Sequence, residues 1–139
     1  MSIYLDNAAT TAVCPEAAEA ALDAMRLHYG NPSSTHRMGR EAKKLLDASR
    51  ALVAGALGCA PGELYFTSCG SEADNQALVS CARIGARKGK KHLISTKFEH
   101  HAILHTLKAL EKEGYEVTLL DVHEDGVVRV EDVAAAIRE

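Results

Sequence analysis

The sequence has 139 residues, the length of one ordinary domain, and 47% of them are hydrophobic, enough for an apolar core of matching size. A net charge of -3 and a pI near 6.2 argue against nucleic-acid or membrane-surface partners, which draw on an excess of Lys and Arg. No stretch is long and apolar enough to span a bilayer, and Met1 to Asp6 lack the basic-then-apolar pattern of an export signal. A soluble, cytoplasmic protein is expected.

In chain order, Ile3 to Leu5 is a short β-branched and apolar piece, followed by a polar turn around Asp6 and Asn7. Pro15 then opens an alanine-rich helix running to about Tyr29, since the first helical turn accepts proline. Gly30-Asn31-Pro32-Ser33-Ser34 has the composition of a structured loop. Ala42, Leu45, Leu46, Ser49, Val53, Ala56 and Leu57 recur at helical spacing, and Gly58 supplies a stop.

From Leu64 the pattern becomes short apolar runs alternating with helical stretches. Leu64 to Thr67, Leu93 to Ser95 and Val117 to Leu120 read as strands. Glu72 to Ala86, His101 to Glu113 and Val130 to Arg138 read as helices. Such alternation predicts an α/β fold with a parallel sheet, but about three strands with no cover at the edges describe an unfinished one.

Phe66 to Asn75 passes from strand through a tight turn into a helix, where free backbone N–H groups and the helix dipole suit a phosphate. Gly70 permits close approach and Ser71 adds a hydroxyl; equally, Ser71 and Asp74 can form a capping box that needs no ligand. Glu99-His100-His101 lies just beyond a strand end, where open parallel sheets bind ligands. An imidazole there suits stacking on a planar cofactor or proton transfer, but also simple capping. His101 and His105, four apart, have metal-ligand spacing without a further ligand nearby. Arg83, Arg87, Lys88, Lys90 and Lys91 complement a helix C-terminus and lack the aromatic residues of a nucleic-acid surface. Cys14, Cys59, Cys69 and Cys81 contain no C-x-x-C pair, and buried, inert thiols are expected.

Four blocks together resemble the cysteine desulfurases of the nitrogen-fixation and iron-sulfur-cluster type, within the class V aminotransferases. They are Tyr4 to Thr11, Tyr29 to Ser34 with His36, Phe66 to Asn75, and Glu99-His100, in family order. The resemblance implies the N-terminal part of a fold type I pyridoxal-phosphate transferase large domain, a parallel-rich sheet flanked by helices. Residues 1–14 would belong to the family's small domain and 15–139 to an incomplete cofactor-binding domain. It also implies pyridoxal 5'-phosphate as cofactor, held at its phosphate by Gly70 and Ser71, with His100 stacked on its ring and engaged in proton transfer.

The family's partners would be L-cysteine, a second copy in a homodimer, and a sulfur-acceptor or scaffold protein of iron-sulfur-cluster assembly. Its Schiff-base lysine and persulfide cysteine lie further along the family chain than these 139 residues extend. The expectation is a fragment inactive alone. A noncatalytic dimerisation or complementation module, and another class V enzyme such as a selenocysteine lyase or aminotransferase, remain alternatives.

Overall fold

The computed structural model describes residues 3–138, which pack as two compact units dividing after Tyr65. In the first, the apolar piece Ile3 to Leu5 joins no ladder. A strand requires a hydrogen-bonded neighbour, and this segment instead folds back on itself. The Tyr4 and Thr10 hydroxyls bond each other, and the Ala9 and Thr10 N–H groups donate to the Asp6 carbonyl at 3.1 and 3.3 Å.

Helix α1 spans Pro15–Leu27, with proline in its first turn, and ends two residues before the expected Tyr29. It buries none of its residues: Leu22, Met25 and Leu27 are all exposed. Helix α2 spans Arg37–Leu57 and buries Gly39, Ala42 and Ala54. Gly58 ends it as expected, in the left-handed conformation (φ 72°), with the Cys59 N–H reaching Ala54 O at 3.0 Å.

The Gly30 to Ser34 loop packs directly on the start of α2. A Cβ at Gly39 would lie 2.7 Å from Asn31 O and closer still to Ser34 O, and one at Gly30 would lie 2.5 Å from Met38 O. Two backbones therefore meet where no side chain fits. Asn31 Oδ1 accepts the Ser33 N–H at 2.9 Å, and His36 Nδ1 accepts the Gly39 N–H at 3.3 Å, capping α2.

A 3₁₀ turn at Pro61–Glu63, absent from the sequence expectation, leads into the segment expected as the first sheet strand. Leu64 to Thr67 joins no ladder, although Leu64 is extended (φ -91°, ψ 123°). Local partners take its polar groups: the Leu64 N–H donates to Pro61 O at 3.4 Å, and its carbonyl accepts from the Arg50 guanidinium.

The second unit runs α3 (Gly70–Ala86), β1 (His92–Thr96), α4 (His101–Lys112), β2 (Glu116–Leu120) and α5 (Val130–Ala136). β1 and β2 pair in parallel, His92 opposite Glu116 and Thr96 opposite Leu120. The expected strands thus form at Leu93 to Ser95 and Val117 to Leu120, giving a two-stranded sheet. Parallel neighbours need a crossover, which α4 supplies. Its apolar side packs inward, so Leu107 and Leu110, together with Ala82 of α3, are each 2% exposed. The β1–α4 connection consequently leaves His100 just past the carboxyl ends of the strands, where the Lys97 N–H still bonds Leu120 O at 2.9 Å.

Gly39→Ala is expected to cost about 1–3 kcal/mol by overpacking. Denaturant unfolding of the two proteins checks this, and an unchanged midpoint would refute the close-approach role assigned to Gly39.

Candidate cofactor-binding site

Helix α3 begins at Gly70, two residues earlier than expected, with Cys69 as the extended N-cap residue. The expected Ser71–Asp74 capping box does not form. Instead, no side chain caps α3, and the Glu72 carboxylate reaches back past the N-cap to accept from the Ser68 N–H at 2.6 Å and from the Ser68 hydroxyl at 2.7 Å. These bonds hold the Glu72 pKa below its ordinary 4.5, the Ser68 N–H being the larger cause and its hydroxyl the second. With Cys69 at the N-cap, Ser71 lies inside the first turn, and its hydroxyl does not cap the helix.

The same turn stabilises negative charge. The Cys69 thiol is held below its ordinary 9.0, first by the Glu72 N–H and then by the Ser68 hydroxyl, with a smaller contribution from the Ser71 N–H. Orphan N–H groups at a helix start, reinforced by the dipole, favour an anion. The sulfur thus stands where an anionic ligand would find its donors. A Cβ added at Gly70 meets nothing within 4 Å, so space for such a ligand lies open beside the backbone. The turn therefore fits a phosphate both in charge and in access. Cys69 is exposed, as are Cys14 and Cys81, which corrects the expectation of buried thiols.

His100 is the N-cap of α4, and its Nδ1 accepts the Ala102 N–H at 3.1 Å. Capping and cofactor contact are compatible, because an Nδ1 that accepts places the ring hydrogen on Nε2, which remains available. Glu99, one residue before, accepts from the Thr96 hydroxyl at 3.1 Å and ties the connection to the strand end.

The first turns of α3 and α4 open on one groove of about 460 Å³, lined by Ser71 and Asn75 from α3 and by His101, Ala102, His105 and Thr106 from α4, among others. Gly70 and His100 are not among its lining residues; each adjoins one that is. The His101 and His105 rings stack with centroids 5.5 Å apart. Among the described residues, no group of three or more His, Cys, Asp or Glu side chains stands together to hold a metal ion. Sequence reasoning missed the Ser68–Glu72 bond, though its four-residue spacing is a signal, and missed the Asn75–Thr106 contact between the helices, which no local pattern announces.

The class-V aminotransferase family profile matches residues 3–139, and the chain belongs to that family. Within it, the chain is similar to cysteine desulfurases: it is 47% identical over 137 residues to cysteine desulfurase IscS of Clostridium botulinum, covering 99% of this chain and 34% of that protein. Among solved structures, a NifS-like protein superposes with a TM-score of 0.92 at 38% identity, over 100% of this chain and 38% of that one. SspA in complex with cysteine gives 0.89 at 32% identity, over 99% and 39%. The chain thus spans about a third of the length of the curated relatives it matches. No helix among the described residues is long and apolar enough to cross a membrane.

Two outcomes follow for the α3 turn. At neutral pH Cys69 should react with iodoacetamide faster than the exposed Cys14 and Cys81, since the thiolate is the nucleophile, and Ser68→Ala should slow it; peptide mass mapping reads the rates, and equal rates would contradict the lowered pKa. For Glu72, whose folded pKa lies below the unfolded one, the stabilisation is present above about pH 4.5 and lost as pH falls through the folded value. Glu72→Gln should flatten that acid limb in a pH series of thermal unfolding, and an unchanged limb would contradict the assignment.

Proposed function

We propose that this chain is the N-terminal, cofactor-holding portion of a pyridoxal-phosphate-dependent cysteine desulfurase. The observation that carries this is the α3 turn, where Gly70 leaves open space and the N–H groups of Glu72 and Ser71 lower the Cys69 thiol pKa, as donors aimed at an anion do. In this reading the Gly70–Ser71 backbone and the Ser71 hydroxyl bind the cofactor phosphate. His100, fixed by its Ala102 bond, presents its ring to the pyridine face and its Nε2 proton to the reacting groups. Residues 1–14 belong to the small domain of the complete fold and 15–139 to its large domain.

When bound, pyridoxal phosphate would draw electrons away from the substrate carbon atoms. The overall change is that L-cysteine loses its Cβ–S bond, sulfur passes to an enzyme thiol as a persulfide, and L-alanine leaves with a proton on Cβ. His100 Nε2 moves a proton in that sequence, while the α3 turn keeps the cofactor from drifting as charge shifts. The similarity to curated desulfurases supports L-cysteine over the substrates of a selenocysteine lyase or a transaminase.

The reading includes a cytoplasmic homodimer that hands sulfur to an acceptor or scaffold protein of iron-sulfur-cluster assembly. It also includes inactivity of these 139 residues alone, because no lysine among them stands in the family's Ser-x-His-Lys setting. The exposed apolar residues of α1 favour, as the second reading, a module that works by docking onto other chain.

L-Alanine release from L-cysteine is the test. None is expected from the chain by itself, whereas mixing it with the remaining two thirds of a homologous desulfurase, as a separate polypeptide, should restore it. Turnover by the isolated chain, or no restoration from a mixture shown to associate, would contradict the proposal.

A further inference from the structure

Two residues outside the proposed cofactor contacts connect them. Asn75 lies on the same face of α3 as Ser71, four residues on, so it sits one turn below the phosphate cradle. Thr106 lies on α4, four residues past Ala102. The Thr106 hydroxyl hydrogen-bonds the Asn75 side-chain amide, the only side-chain hydrogen bond between α3 and α4 among the described residues. Both residues are half-buried in the groove onto which the two helix starts open.

Thr106 Oγ1 also lies 2.8 Å from the Ala102 carbonyl. A hydroxyl has one hydrogen, and turning the Asn75 amide so that Nδ2 donates to Oγ1 frees that hydrogen for Ala102 O, satisfying both contacts. Ala102 is then held at both ends, its carbonyl by Thr106 and its N–H by His100 Nδ1. An unbroken path runs from Ser71 along one turn of α3 to Asn75, across to Thr106, back one turn of α4 to Ala102, and on to the His100 ring.

We infer that Asn75 and Thr106 are positioning residues, a cross-tie that sets the spacing between the Ser71 cradle and the His100 imidazole. Apolar packing through Ala82, Leu107 and Leu110 holds the two helices together, but it resists sliding weakly because apolar contact is non-directional. A hydrogen bond between side chains one turn below both helix starts fixes their relative height. A change in that height would move the phosphate donors and the imidazole out of step with a rigid cofactor whose phosphate and ring are a fixed distance apart. The inference rests on the cofactor reading for its purpose, though the tie itself exists without ligand.

Thr106→Val removes the hydroxyl at nearly constant volume, and Thr106→Ser keeps it. Each is compared with the wild-type chain, with circular dichroism confirming retained helix content. Two readouts are taken: ligand-free hydrogen exchange at the Asn75 and Ala102 amides, and affinity for pyridoxal phosphate. Thr106→Val is expected to raise exchange and weaken binding by about tenfold each, the effect of one lost half-buried hydrogen bond, with Thr106→Ser close to wild type. Exchange within about twofold of wild type in Thr106→Val, well below that expectation, or equal changes in both variants, would overturn the inference. Failure of the cofactor reading would show differently. Wild type would not bind pyridoxal phosphate, or Ser71→Ala would leave its affinity unchanged, while the ligand-free contrast between the two Thr106 variants would still judge the tie.

Discussion

The first turn of an α-helix carries N–H groups that no residue inside the helix can accept, and the start of α3 is organised around that fact. Ser68 and Glu72 pair with each other, upstream of the turn and within it. The remaining donors face the Cys69 sulfur and the open space beside Gly70. If Ser71 were the N-cap, its hydroxyl would be spent on the backbone. Because the helix begins at Gly70 with Cys69 at its N-cap and no side chain accepting its first N–H groups, the Ser71 hydroxyl and those N–H groups are available to an anion.

The second unit holds this turn beside another helix start. Parallel pairing of β1 and β2 demands α4 as a crossover, and the inward face of α4 then packs on α3 through Leu107, Leu110 and Ala82. The geometry places His100 at the carboxyl end of the sheet, where it caps α4 through Nδ1 and leaves Nε2 outside that bond. The first unit makes a comparable investment in its loop. Gly30 and Gly39 allow two backbones to touch, and His36 caps α2 as His100 caps α4.

Much of this was legible in the sequence. The α2 stop at Gly58, the strands around Leu93 and Val117, the helix from His101 and the resemblance to cysteine desulfurases all follow from local pattern or from four collinear blocks. What was not legible depends on partners distant in the chain. Leu64 to Thr67 has strand composition but joins no ladder among the described residues, so composition alone misassigned it. Ser71 looked like a cap because serine usually is one, whereas the helix starts a residue before it, at Gly70, with Cys69 at the N-cap. The Asn75–Thr106 contact spans 31 residues and has no local signature.

The most direct measurement is a titration of the isotopically labelled chain with pyridoxal phosphate and, in parallel, with pyridoxal, following the backbone amide resonances. Selective movement of the Gly70, Ser71 and Glu72 amides by the phosphorylated compound, with the His100 ring responding to both, is the predicted result. Identical responses to the two compounds, or shifts that bypass the start of α3, would contradict the assignment of this turn as the phosphate cradle.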